Sequence, residues 1–343
     1  MREKYFTGFS IAAVYIGAVM GAGFATGQEL MQYFVRFGAV GLLGIAACGG
    51  IFALVGFKVL YFMHLRGLDS YRGFLRCIMG ERLGAISEAF GFCFIIALYS
   101  SMLAATGALL HQLWDIDRFY GSLIMFIVCS LLVGGGVKSL GTVNMLLCPL
   151  LIGGSALVGL WLYFGSVEVF APSVRLDDNI LGSAIVYVSY NIISGISLLC
   201  AVSKQIRGIR DAFIGGVVGG VIVGLIGLAL ALPLYKYFDI TVNAELPMLR
   251  LMSGNMELLR IGYIVLLLAA IITTAVGNCY SAVDCLSPKT RKERYICTAF
   301  VGIAALLLAQ IGFQNIVGKL YYFFGCLGMA ELAVILNLRL KKN

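Results

Sequence analysis

The sequence predicts an all-α polytopic membrane protein of ten transmembrane helices, arranged as a 5+5 inverted repeat with discontinuous helices 1 and 6. Three observations carry this. Of 343 residues 61% are hydrophobic and 12% charged, where a soluble domain carries roughly 25% charged residues. The apolar residues fall in long unbroken runs with only 5 prolines, and the short alternating segments of a transmembrane barrel do not occur. The basic residues sit in the short connections between the runs.

Reading apolar runs between charged or turn-like breaks gives spans at 7–37, 39–63, 84–113, 119–137, 141–165, 179–202, 210–235, 259–284, 295–312 and 316–338. With the N-terminus inside, 17 Lys and Arg fall on the cytoplasmic side and 7 outside, with Lys58 within the second span. That asymmetry places both termini in the cytoplasm of a multi-pass cell-membrane protein and requires an even number of spans. The net charge of +8 is thus a topology signal, and no nucleic-acid partner is expected. The partners are the lipid bilayer and a small-molecule solute. The basic, apolar start resembles a signal peptide, but its apolar pattern runs on to Phe37, so it is read as part of the mature chain.

The first run is too long for one straight span. Thr7 to Phe37 would be about 46 Å of helix against a hydrocarbon core of about 30 Å. In its middle lies Gly21-Ala22-Gly23-Phe24-Ala25-Thr26-Gly27, whose glycines each weaken a helix by about 1 kcal/mol. Thr26-Gly27-Gln28-Glu29 follows as a T-x-x-E capping box. Two half-helices joined by an unwound glycine segment are expected. Residues 68–79 place Leu68, Tyr71, Leu75 and Ile78 at helical spacing with Arg72 and Arg76 between them. This reads as an amphipathic helix on the inner interface, capped by Asp69.

The sixth span carries Ser189-Tyr190-Asn191-Ile192-Ile193-Ser194-Gly195 and is expected to break there. Residues 1–165 then form a first five-helix repeat, 166–178 an extracellular connection, and 179–343 a second, inverted repeat. Broken helices at the first position of each half point to a midplane site in a secondary transporter. Residues 240–258, with Glu245-Leu246-Pro247-Met248-Leu249, read as an extracellular lid.

Gly21-Ala22-Gly23-Phe24 resembles the G-x-G-I/F stretch in the first helix of the amino acid–polyamine–organocation (APC) superfamily. Tyr71 to Gly80 is similar to its inner-loop amphipathic helix, and Gly277-Asn278-Cys279-Tyr280-Ser281 to a Gly-Asn stretch of its eighth. The whole first helix, from Tyr15-Ile16-Gly17 through Glu29, looks closer to the YkvI-type bacterial membrane proteins of that superfamily. The resemblance implies the leucine-transporter-like fold.

The interrupted helix carries the candidate chemistry. A break orphans about four N–H and four C=O groups, which in hydrocarbon need a ligand or another partner. The N–H groups of Gly21, Ala22 and Gly23 can take a carboxylate, as the resemblance also implies, with Phe24 and Thr26 beside them; alternatively the glycines only permit close packing. Glu29 is a candidate proton carrier or amine ligand as well as a capping residue. Ala270, Thr273 and Thr274 of the eighth span, with the Met20 carbonyl at the break, resemble a sodium site; the alternative is Thr hydroxyls bonding back along their helix. No other cofactor is expected.

In the third span Glu88, Ile95, Tyr99 and Thr106 share a face, with Tyr99 near the middle. Tyr187, Tyr190, Asn191 and Ser194 are candidate pocket residues in the sixth. Lys58, Glu88 and Glu331 lie in cytoplasmic halves of spans as an inner ion-pair gate or as snorkelling side chains, and Asp284 continues the polar stripe of the eighth. His64 and His111 sit at helix ends, and no C-x-x-C occurs among 10 cysteines, so no metal or catalytic set assembles and no enzyme is expected. A P-loop is absent too. The expected function is import of a small amino acid or related zwitterionic or amine solute by alternating access, coupled to Na⁺ or H⁺. A non-transporting, ligand-sensing receptor subunit on the same fold is the alternative.

Overall fold

The computed structural model describes residues 8–134, 153–154, 156–164, 179–203, 206–252 and 257–340. Among these residues the chain forms helices and turns and no strand. The first run divides into α1 (Gly8–Val19), α2 (Ala22–Ala25) and α3 (Gln28–Tyr33). There follow α4 (Ala39–Arg66), α5 (Tyr71–Trp114), α6 (Arg118–Gly134), α7 (Ile180–Val202) and α8 (Ile209–Lys236). Two short helices, α9 (Phe238–Thr241) and α10 (Pro247–Leu251), lead to α11 (Glu257–Cys285), α12 (Arg291–Ala309) and α13 (Phe313–Leu336). Among the described residues, the 6 helices α4, α5, α7, α8, α11 and α13 are long and apolar enough to cross a membrane.

Every expected span but the fifth meets one of these helices. The span 141–165 lies largely outside the described residues, although 156–164 is helical. The connection 166–178 lies outside them altogether.

The helices pack in two sets. In one, α1 and α4 pack on α7 and α8; in the other, α5 and α6 pack on α11 and α12. Helix α13 lies against both α7 and α5. The one-turn helix α2 touches both α5 and α11, so the interrupted first run stands where the two sets meet.

Small residues bring α4 and α8 into backbone contact. Gly216, Gly220 and Gly224 recur every fourth residue of α8 and face Gly56–Phe57, Ala53 and Gly49 of α4. A Cβ on Gly216 would overlap the backbone nitrogen of Phe57, and one on Gly220 that of Ala53. Without a hydrophobic driving force between helices in lipid, such close packing is what holds them. At the same crossing α8 relaxes into one π-helical turn, Ile214–Val218. A second π turn, Ile316–Leu320, opens α13, and the Tyr33 hydroxyl donates to its Val317 carbonyl at 2.9 Å.

The amphipathic inner segment forms the start of α5 and turns at Gly80, whose φ of 78° is left-handed. Its Phe74 and Leu75 are buried. The cap is Ser70 rather than the expected Asp69: its hydroxyl accepts from the Gly73 amide at 3.2 Å. A true capping box stands elsewhere, at the start of α12. Thr290 Oγ1 accepts from the Glu293 amide at 3.1 Å while Glu293 Oε2 accepts from the Lys289 amide at 2.7 Å.

Two outcomes follow from this packing. Gly216→Ala or Gly220→Ala should destabilise the protein by about 1–3 kcal/mol, the cost of overpacking, and lower its melting temperature in detergent. Gly50→Ala, which meets nothing within 4 Å, should leave it unchanged or slightly raised. Separately, the amide bond from Lys289 holds the exposed Glu293 carboxyl below its ordinary value of 4.5. The cap's contribution is therefore fully present above the ordinary value and is lost as pH falls through the lower folded one. Hydrogen exchange at the Lys289 amide should accelerate on acidification in the wild type relative to Glu293→Gln, whose cap does not titrate.

Candidate functional site

The candidate site is built on the interruption of the first run. Helix α1 closes with the Met20 amide on the Ile16 carbonyl at 2.8 Å. Gly21 is then extended (φ −76°, ψ −175°), and α2 makes a single turn. Gly27 follows at φ 80°, in the left-handed region that favours glycine, and α3 begins at the next residue. A Cβ on Gly27 would also stand 2.9 Å from the Leu234 side chain. The break is thus two close interruptions flanking one turn.

Its freed carbonyls are taken up by neighbours. Thr26 Oγ1 donates to the Gly23 carbonyl at 2.7 Å. The Tyr263 hydroxyl of α11 donates to the Ala25 carbonyl at 2.6 Å, and the Met248 amide of α10 to the Thr26 carbonyl at 3.0 Å. The last bond belongs to the expected lid. Leu246, Met248, Leu249 and Met252 are fully buried, and Arg118 pairs with Glu245 at 3.0 Å. This segment therefore packs its apolar side chains against the start of α3; its residues 253–256 lie outside the described ones.

The expected capping box does not form here. Gly27 precedes α3; Thr26 Oγ1 donates to Gly23 and accepts from the Gln28 amide at 3.3 Å, while the Glu29 carboxyl does not return to the Thr26 amide and takes a tertiary partner instead. Glu29 is 6% exposed, and its Oε2 accepts from the Tyr190 hydroxyl at 2.9 Å. Its Oε1 folds back on the break, 2.5 Å from where a Cβ on Gly23 would stand. Around it gather the rings of Tyr33, Tyr187, Tyr190 and Tyr321, with Tyr190 5.4 Å from Tyr33, 5.4 Å from Tyr187 and 5.2 Å from Tyr321 between centroids.

The expected break in the sixth span is not found: α7 is continuous from Ile180 to Val202. The polar side chains that suggested it bond back to their own helix. Ser189 Oγ donates to the Ile185 carbonyl at 2.7 Å, Asn191 Nδ2 to that of Tyr187 at 2.9 Å, and Ser194 Oγ to that of Asn191 at 3.1 Å. Each thereby satisfies itself in hydrocarbon without unwinding the backbone. Of the expected pocket residues on α7, Tyr187 and Tyr190 reach the Glu29 cluster through their rings.

Thr273 Oγ1 donates to the Ala270 carbonyl at 3.1 Å, and the Thr274 methyl lies 3.9 Å from the Cβ position of Gly21. The eighth span is thus apposed to the break beside Met20 and Gly21. Phe24 packs on α8 at Gly227. The Tyr99 hydroxyl lies beside the thiols of Cys129 and Cys279, so its nearest polar neighbours are on α6 and α11 rather than at Glu29. Thr106 bonds back to Met102 at 2.9 Å.

The expected inner ion-pair gate of Lys58, Glu88 and Glu331 does not pair internally. Lys58 donates to the Leu336 carbonyl, and Glu88 accepts from Arg72 Nε at 2.7 Å across the Gly80 turn. Glu331 is 1% exposed and accepts from Tyr71 and Ser87 hydroxyls, each at 3.3 Å. Asp284 lies 4.0 Å from Arg294. The nearer basic groups on neighbouring turns captured Glu88 and Asp284 first.

Several site residues escaped the sequence. Tyr33, Tyr263 and Tyr321 look like ordinary aromatic residues of apolar runs. Gln28 is fully buried with both amide atoms lacking a partner among the described residues, as is the Tyr187 hydroxyl. A glutamine beside a buried glutamate in a glycine-rich break was the one available signal.

No family model matches the chain. It is 26% identical over 98% of its length to the uncharacterized membrane protein YkvI of Bacillus subtilis, covering 97% of that protein. It is 24% identical over 94% of its length to the B. subtilis protein YyaD, covering 94% of that protein. Among solved structures it superposes on MhsT, crystallised with L-phenylalanine, at TM-score 0.70 and 16% identity, covering 97% of this chain and 89% of MhsT. It superposes on the Eremococcus coleocola manganese transporter at TM-score 0.58 and 14% identity, covering 96% of this chain and 78% of the other. The sequence resemblance to YkvI and to the leucine-transporter-like fold is thereby borne out, and the chain is a membrane protein with a transporter-like fold.

Gly23→Ala should drive the Glu29 carboxylate off its seat and weaken solute binding at least tenfold in a protein that still folds. Gly21→Ala, with only the Thr274 methyl nearby, should bind within about threefold of wild type. Equal binding by the two variants would remove Glu29 from the site.

Proposed function

We propose that the chain is a secondary active transporter of the APC superfamily, importing a small amino acid or amine solute by alternating access through ten spans in two inverted halves. Its two termini are cytoplasmic, and it works in the cell membrane by symport with Na⁺ or H⁺. One observation carries the reading: a buried carboxylate, Glu29, stands at the interruption of the first helix, where the two packing sets meet. The sets themselves pair the first two helices of one half with the first two of the other, and likewise the third and fourth, as an inverted repeat requires. MhsT, with the same fold, holds an amino acid. The manganese neighbour gives less support, because no group of three or more metal-ligating side chains occurs among the described residues.

In this reading Glu29 balances the charge of proton or solute, since an uncompensated carboxylate in hydrocarbon is costly. Met20, Ala270, Thr273 and Thr274 supply hard oxygen ligands for Na⁺. The lid bond from Met248 to Thr26 and the Arg118–Glu245 pair open when the outer path opens. Tyr71, Ser87 and Glu331 do so at the inner end.

Counterflow in proteoliposomes tests this. Labelled solute should exchange across the membrane and accumulate under a Na⁺ or pH gradient. If Na⁺ drives uptake, Thr274→Ala should weaken the sodium dependence about tenfold, equivalent to about 1.4 kcal/mol. If protons drive it, Glu29→Gln should keep exchange and lose accumulation. Saturable binding with no exchange under any gradient would replace the transporter by the receptor reading.

A further inference from the structure

We propose that the solute taken at this site is a protonated organic amine without a carboxylate, with Glu29 as its counter-ion. The inference rests on the transporter reading and narrows it to a substrate class.

The charge inventory comes first. The groups facing Glu29 are the hydroxyls of Tyr190 and Tyr187 from α7, Tyr33 from α3 and Tyr321 from α13. The nearest basic side chain along the chain, Arg36, is exposed and lies over the Phe37 ring at 4.8 Å. The ion pairs among the described residues involve other carboxylates. The site is thus one carboxyl group among oxygens and ring faces, and a cation is the partner that would let it ionise in this surrounding.

Geometry sharpens this. An amino acid bound at the break would bring its carboxylate to Gly21–Gly23. Glu29 already lies there, its Oε1 2.5 Å from the Cβ position of Gly23, so a second carboxyl group would contend for the same place. An ammonium meets the opposite situation. It finds one Glu29 oxygen not used by Tyr190, and the electronegative faces of Tyr33, Tyr187 and Tyr190 favour a cation. It also brings an N–H donor to the Tyr187 hydroxyl oxygen, which is buried without a partner among the described residues. A primary amine supplies three such donors and a quaternary ammonium none, so the site selects the primary amine.

The test uses the full-length protein in detergent and pairs of ligands that differ only in the carboxylate. These are phenethylamine against phenylalanine, tyramine against tyrosine, and isoamylamine against leucine, with choline as the donor-free cation. The better amine should raise the melting temperature and bind at least tenfold more tightly than its amino acid and than choline. Glu29→Gln should abolish that preference, and Tyr190→Phe, which keeps the ring and the fold, should reduce it. Amino acids binding as tightly as their amines, or a panel in which no amine binds, overturns the proposal. So does an amine preference unchanged in Glu29→Gln. Counterflow separates the two levels. Exchange of an amino acid overturns the substrate class and leaves the transporter standing; tight amine binding without exchange does the reverse.

Discussion

An interrupted helix in hydrocarbon must find partners for the carbonyls it frees, and the rest of this structure is arranged around that requirement. Water is not available there to take the bonds. Gly23, Ala25 and Thr26 each lose an intrahelical donor at the break and each gains another: a hydroxyl from the same turn, a tyrosine from α11 and an amide from the lid. These bonds fix α2 against α11 and bring α10 down on α3. The segment around Met248 is therefore a structural partner of the break.

The two packing sets give the break its mechanical meaning. Backbone contact between α4 and α8 at Gly216, Gly220 and Gly224 makes the first set rigid. In the second set α5 and α6 also meet backbone to backbone, a Cβ on Gly121 standing 2.8 Å from the Gly107 Cα. The first run belongs to the first set through α1 and touches the second through α2, which places Glu29 beside their junction. The π turn at Ile316–Leu320 places a further freed carbonyl near this seam, bonded by Tyr33. At the opposite end Glu331 ties α13 to the amphipathic turn and to the body of α5 through neutral hydroxyls.

The aromatic cluster explains why Glu29 can be buried at all. Tyr190 gives it a hydrogen bond, and the surrounding rings exclude solvent while presenting polar edges and faces. Ser101 and Tyr321 are hydrogen-bonded to each other, and Ser183 donates to the Tyr33 carbonyl at 2.8 Å. The site is thereby supported from α3, α5, α7 and α13 at once.

The sequence by itself determined the helical membrane class, helices at nine of the ten expected spans and the broken first helix. These follow from apolar run length and from glycine density, which are local properties. It also identified Glu29, because an acid inside an apolar run is visible without a fold. It misread the serines and Asn191 of the sixth span as a break, because composition cannot say whether a polar side chain bonds outward or back to its own helix. It read Thr26–Glu29 as a capping box, although Tyr190 from another helix outcompeted the local partner. The pairing of Lys58, Glu88 and Glu331, the role of Tyr263 and the rings around Glu29 were decided only by tertiary structure. Contacts such as Tyr190 to Glu29, Tyr263 to Ala25 and Lys58 to Leu336 join residues more than a hundred positions apart, and no local pattern records which face of one helix will meet which face of another.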